Sequence, residues 1–419
     1  MLKVVVVLLI GLNAACAAGR DARPQGREQA SPPPPAGFTV SYRRGEGNSR
    51  KVCQLIGDTD WQTGQRTSNQ SYTRAGIPGE DEGIIGDHKG QPWLYMADIY
   101  RPKQGRNQDS DSYAQILPGD PDSCISLKWP LKADGLYNPV ISPTGVGGYS
   151  YPVGIFDDSD SFYLLLGNPV TMGVSQVWKS TDDGWSWSWL WNVSSSPAAK
   201  LVSVSPEADA GTLYFFGTGN YRNTGQVYLA STAAGQHKMD RPGNLRYLTG
   251  VDDKGRPLWS PNESSAAPLF TESFIPGQGL GEISVRKVQV GPHTVWLMLY
   301  NCGWASCAGA GAAQAIYMRW APQPWGPWSA SQIIVDPVLD RVAGYYMSNP
   351  KCHYPGSTRC TVFDDPSSPG NGEAGALYSP ALLPNVTKQI DATTTRIYFT
   401  VSTWVPYVVV LMATDLTHN

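Results

Sequence analysis

The chain reads as an all-β protein, a five-bladed β-propeller, on three observations: a recurring pair of strand-like segments, a composition rich in turn formers and poor in charge, and one hairpin signature. FYLLLGN (from Phe162) is followed by QVWKSTD, LYFFGTGN (from Leu213) by QVYLAST, VWLMLYN (from Val295) by AIYMRWA, and RIYFTVST (from Arg396) by YVVVLMATD. PWLYMADIY (from Pro92) fits the first half of the pattern. Each piece is a short β-branched and aromatic run bounded by Gly, Pro, Asn or Ser, which is how a strand looks in sequence. Sheets repeated around an axis make a propeller, and five units predict five blades. The units are unequally spaced, so a six-bladed propeller and a β-sandwich also fit the spacing. With 44 Gly, 34 Pro and only 16% charged residues, the chain suits many short strands joined by turns rather than long surface helices.

Taken in chain order, MLKVVVVLLIGLNAACAAG has one lysine, an apolar run over Val4–Leu12 and then small residues. That is a secretory signal peptide pattern, expected over residues 1–18 with cleavage near Ala17 or Ala18. The run is too short to span a bilayer core of about 30 Å. Cys16 raises a lipoprotein alternative, against which Asn13 speaks, because such a signal wants an aliphatic residue there. Residues 19–45, with the run SPPPP, read as a disordered Pro-rich linker. Residues 46–419 are then one propeller domain, expected to be secreted, monomeric and without a membrane anchor after cleavage.

Without Cys16, six cysteines remain, an even number that in a secreted chain implies disulfides. Proximity favours Cys302–Cys307 and Cys352–Cys360, leaving Cys53–Cys124. Four Asn-X-Ser/Thr sequons, at Asn69, Asn192, Asn262 and Asn385, would be glycosylated in a eukaryotic host. The 32 basic residues against 35 acidic ones lack the basic footprint of a nucleic-acid binder.

Ser180-Thr181-Asp182-Asp183-Gly184-Trp185-Ser186-Trp187 fits S-x-D-x-G-x-[ST]-W. It resembles the Asp-box, a β-hairpin turn of sialidases and other propellers that is structural and lies away from the active site. Asp182 and Asp183 are therefore not expected to be catalytic. A sialidase-like activity ranks low, since the arginines are scattered rather than clustered to hold a substrate carboxylate.

No nucleophile elbow, phosphate-binding glycine loop or HExxH motif occurs. The informative chemistry is carboxylate. Asp81 lies in GEDEG, and Asp98 interrupts the apolar run of YMADIY. A turn at Asp87–Gly90 would bring the two together. Paired carboxylates facing a cleft suit glycoside hydrolysis, one protonating the leaving oxygen and the other attacking or activating water. The competing reading makes Asp81 a solvated loop acid and Asp98 a partner for nearby backbone. Glu282, in GLGEISV, is a third candidate acid unless it pairs with Arg286. Asp58 and Asp60 flank Trp61 in LIGDTDW and either bind sugar hydroxyls or cap turns. Trp61, Tyr137, Tyr221, Trp304, Trp404 and Tyr407 are candidate sugar-stacking platforms, and His353 lies on the loop CHYPGSTRC. No cofactor is expected. A structural calcium ion on these acids stays open, although the spacing is not that of an EF-hand.

Together these segments resemble a family of secreted five-bladed propellers, long described only as a domain of unknown function, whose members include endo-D-arabinanases. GEDEG at Gly79 is similar to the family's G-T-D-L-G loop, and YMADIY at Tyr95 to its strand ending F-G-D-T. GEISV at Gly281, RWAPQPWGPWS at Arg319 and STWVPYVVVLMATDL at Ser402 are similar to further family segments. The resemblance implies that Asp81 and Asp98 are the catalytic pair and that the substrate is a furanose polymer, D-arabinan in the family. Glu80, Glu82 and Ala97 depart from the family's Thr, Leu and Gly. Flanking acids would disfavour ionisation of Asp81 and so cast it as the general acid, with Asp98 as nucleophile or base. A non-catalytic carbohydrate-binding propeller, a lectin or adhesin, is the alternative; it predicts glycan binding without turnover.

Overall fold

The structure is a computed structural model and describes residues 37–42, 49–101, 105–106, 111–140, 151–168, 173–195, 199–219, 224–272, 279–302, 315–348 and 375–419. Strands β1 (Val40–Tyr42) and β2 (Ser49–Gln54) and a short helix α1 (Ser71–Ala75) precede the blades. Blade 1 holds β3 (Gly79–His88), β4 (Gln91–Arg101), β5 (Gly105–Arg106), β6 (Ser112–Leu117) and β7 (Ser126–Lys128). Blade 2 holds β8 (Tyr151–Asp158), β9 (Ser161–Asn168), β10 (Val174–Ser180) and β11 (Ser188–Ser195). Blade 3 holds β12 (Ser203–Asp209), β13 (Thr212–Thr218), β14 (Gln226–Ala233), β15 (Arg246–Val251), β16 (Pro257–Ser260) and β17 (Phe270–Thr271). Blade 4 holds β18 (Leu280–Val290), β19 (His293–Cys302), β20 (Ile316–Ala321) and β21 (Gln332–Val335). Blade 5 holds β22 (Ala376–Asp391), β23 (Thr394–Trp404) and β24 (Val408–His418).

Every blade is an antiparallel meander running outward from its first strand. The first strands β3, β8, β12, β18 and β22 each pack on the next, and β22 packs back on β3, so the ring closes. The molecule is therefore an all-β, five-bladed propeller, as the recurring strand pairs predict. Blade 5 is completed from the N-terminal side: β1 and β2 both pair with β24, with Val40 opposite His418 and Ser49 opposite Thr414. β1 lies inside the stretch read above as linker. Phe38 and Val40 are buried in the core, which accounts for its order.

Around the axis the inner strands approach too closely for side chains at some positions. A Cβ at Gly86 would lie 2.4 Å from the carbonyl oxygen of Ile155, and one at Gly154 would lie 2.6 Å from that of Val204. Hydroxyls stitch the strands together: Val285 N donates to Ser205 Oγ (2.8 Å) and Leu382 N to Ser284 Oγ (3.0 Å). Arg286, buried, donates to Pro206 O (2.7 Å), to Glu207 Oε2 (2.8 Å) and to Ile85 O, tying blades 4, 3 and 1 across the axis. A disulfide joins Cys53 of β2 to Cys124 (Cα–Cα 5.7 Å), so it links blade 5 to blade 1 as the leftover pairing predicts. Cys302 is disulfide-bonded too, while Cys307, Cys352 and Cys360 lie outside the described residues.

Candidate active site

All five inner strands run the same way, so their first residues gather at one end of the axis. That end receives Asp81 of β3, Glu282 of β18 and Tyr378 of β22. At the other end lies the β3–β4 hairpin, with His88 opposite Gln91, which confirms the chain reversal expected at Asp87–Gly90.

Asp81 stands opposite Ala97, and Asp98 is the next residue of β4. Two register shifts bracket this place. Between Gly79 and Asp81 the extra residue is on β4, and between Asp81 and Ile84 it is on β3. The residues that absorb the shifts, Asp98 and Glu82, both have φ of 56°, in the left-handed region. A side chain there costs of order 1–3 kcal/mol and is retained where the surroundings enforce it. Bulges of this kind re-aim side chains next to active sites. β18 and β22 carry bulges at the same end: Glu282 lies in the shift between Leu280 and Ile283, and Ser379 (φ 48°) in that between Tyr378 and Ala381. Asn301 joins the two, its Oδ1 accepting from Ser379 N (3.3 Å) while its side chain packs over Gly281.

The carboxylates are buried. Asp81 is 6% exposed, Asp98 9% and Glu282 4%. Tyr378 Oη donates to Asp81 Oδ2 at 2.6 Å, a short bond across the junction of blades 5 and 1. Glu282 lines a small cavity among the inner strands with Ser379, Ile84 and Ser284. It does not form the suspected pair with Arg286, which is taken by Glu207. Glu80 is fully buried and points elsewhere, accepting from Ser112 N (2.9 Å) and Ser112 Oγ (2.8 Å). Burial, opposed by those two bonds and reinforced by the charges of Asp111 and Asp81, holds its carboxyl well above the usual range. Glu80 thus turns both carboxyl oxygens to Ser112, and its ionisation is disfavoured beside Asp81.

Other candidates sit apart. Asp58 accepts from Tyr72 N (2.9 Å), Thr73 N and Thr73 Oγ1, capping α1. Asp60 pairs with Lys51 (2.8 Å) and accepts from Gln62 N and Thr63 N, so it shapes a turn. Its carboxyl is lowered: burial, the largest influence, opposes ionisation, but the Lys51 charge and the turn hydrogen bonds outweigh it. Tyr137 is core, and Trp61 packs against that core. Trp404 and Tyr407 meet edge to face (centroids 5.5 Å). Tyr407 O accepts from Glu80 N (3.1 Å), which places this pair beside the start of β3, with Trp404 partly exposed. Tyr221, Trp304 and His353 lie outside the described residues.

Among the described residues no group of three or more His, Cys, Asp or Glu side chains could hold a metal ion. Asp182 shapes its hairpin, accepting from Ser180 Oγ (2.7 Å), Ser186 N (2.9 Å) and Ser186 Oγ (2.6 Å). That hairpin is at the opposite end of the molecule, where Asp183 meets His88 (3.0 Å). Asn69 is buried with both ends of its amide engaged, by Ile125 O and Leu127 N, so this sequon has no exposed nitrogen for a glycan. Sequence reasoning missed Tyr378, Asn301, Asp111 and Ser112. The only local signal for Tyr378 is its place in GALYSP, where a strand follows a glycine.

The fold is similar to several solved structures. They include the catalytic domain of a GH62 α-L-arabinofuranosidase from Coprinopsis cinerea (12% identity over 89% of this chain and 97% of that one, TM-score 0.41). A thermostable family-43 glycoside hydrolase (13%, 82% and 89%, TM-score 0.42) and the native arabinanase of Bacillus subtilis (9%, 80% and 95%, TM-score 0.39) are others. At such identities these likenesses say nothing of what this chain acts on. No curated protein matches the sequence. Residues 167–413, more than half of the chain, match the family described as Domain of unknown function (DUF4185), and the chain belongs to that family.

Proposed function

We propose that the protein is a secreted glycoside hydrolase that cleaves a furanose polysaccharide, D-arabinan before others, with Asp81 and Asp98 as its working carboxylates and Glu282 assisting from blade 4. The observation that carries this reading is the double bulge, which brings two buried carboxylates to one rung at the strand-start end of the axis, Asp81 opposite Ala97 and Asp98 next to Ala97 in the chain. The family resemblance of GEDEG and YMADIY supports the same pair, and the Cys53–Cys124 disulfide suits an oxidising compartment.

The geometry favours a division of labour opposite to the one drawn from sequence. A hydrogen bond to a carboxylate favours its charged form. Tyr378 makes such a bond to Asp81, while Glu80 turns both of its carboxyl oxygens to Ser112. Asp81 is then the nucleophile or base. Asp98 is the acid, with its own amide bound to the Asp111 carboxylate. Tyr378→Phe is expected to lower kcat about tenfold and to move the acid limb of the pH–rate profile upward, about the share such general acid–base tuning carries. A shift of the alkaline limb instead would return the acid role to Asp81. The primary test is release of oligosaccharides from a panel of polysaccharides by the wild type. Turnover of D-arabinan or another furanose polymer supports the reading, and glycan binding without turnover would leave the lectin.

A further inference from the structure

We propose that Asp111 is a positioning residue for Asp98, and that Ser112 and Glu80 lock it in place. The proposal rests on the hydrolase reading above. At a bulge the extra residue is displaced from the ladder, and the amide of Asp98, between the rungs at Ala97 and Tyr100, takes no register position. It donates instead to Asp111 Oδ1 at 3.1 Å, in a buried setting. Asp111 is placed for this by register: Met96 opposite Ser112 is the last rung between β4 and β6, and Asp111 is the next residue. Its carbonyl is held by Val140 N (3.0 Å), so the segment cannot slide away.

Ser112 is gripped from the far side. Glu80, on β3, reaches over β4 and receives both its N–H (2.9 Å) and its Oγ–H (2.8 Å). The segment that carries Asp111 is therefore tied to β3 through Ser112 as well as to β4. The Asp111 acceptor helps to hold the left-handed φ of Asp98, and removing it loosens that hold. The residue relaxes towards extended backbone, and its carboxylate leaves the position set for Asp81. A displacement of about 1 Å is enough to cost on the order of 100-fold in rate.

The test compares wild type, Asp111→Ala and Asp111→Asn, the last of which keeps an Oδ1 acceptor. The kcat and KM on the furanose polymer that the wild type turns over fastest are measured with the hydrogen exchange rate of the Asp98 amide. Asp111→Ala is expected to lose about 10- to 100-fold in kcat, with KM within about threefold and faster exchange at Asp98. Asp111→Asn is expected to stay near wild type in both, and it carries the test if the alanine variant does not fold. Wild-type exchange in Asp111→Ala, or a loss in Asp111→Asn as large as in Asp111→Ala, overturns the proposal. A wild type inert on every furanose polymer sinks the hydrolase reading instead, and the exchange rate, which needs no turnover, then decides the clamp by itself.

Discussion

Glu80 and Asp81 are adjacent acids with opposite surroundings, one facing Ser112 and the other facing Tyr378. The raised carboxyl of Glu80 has a consequence for stability. The folded state keeps the proton above the ordinary pKa of a glutamate, so its contribution to stability is fully present below about 4.5 and is lost as pH rises through the raised folded value. Relative to Glu80→Gln, which cannot titrate, the wild type should gain stability on acidification from pH 8 to pH 5. Denaturant unfolding of both at several pH values checks this, and parallel curves would contradict the assignment. At this scale the sequence was half legible. Asp81 and Asp98 stand out as acids in apolar or glycine-rich runs, where burying a carboxylate demands a use. Tyr378 and Asp81 are 297 residues apart, and nothing local marks one as the partner of the other.

The strands were legible because β-branched and aromatic runs bounded by turn residues leave few other readings. The bulges were not. A glycine would have marked a left-handed residue, but here the positions are filled by Glu82, Asp98 and Ser379, and the amides of Asp98 and Ser379 are held by Asp111 and Asn301, distant in sequence. The Asp-box was legible in full because its hydrogen bonds span only two to four residues. Asp182→Ala removes three acceptor contacts at an exposed turn and should cost about 1–2 kcal/mol of stability while leaving kcat unchanged. Thermal unfolding alongside an activity assay checks both halves, and a loss of kcat would mean that the hairpin is coupled to the site.

For the whole molecule, four strand pairs and one half-pair in sequence became five blades in a closed ring. The closure itself depends on contacts that no local pattern announces: β1 and β2 on β24, and Arg286 across three blades. Arg286 is buried with Glu207, so Arg286→Ala takes the counter-charge from a carboxylate and a donor from two carbonyls at the axis. The expected loss is about 3–5 kcal/mol, read from denaturant unfolding. A smaller loss in Arg286→Met would show how much of it comes from the stranded charge. The central claim is that Asp81 and Asp98 do the chemistry on this scaffold. The direct measurement is oligosaccharide release from the best furanose polymer by wild type, Asp81→Asn and Asp98→Asn, with unfolding curves to show that each variant is folded. Both folded variants should fall by at least about 1000-fold, as expected when a working carboxylate is neutralised; full activity in both would contradict the account.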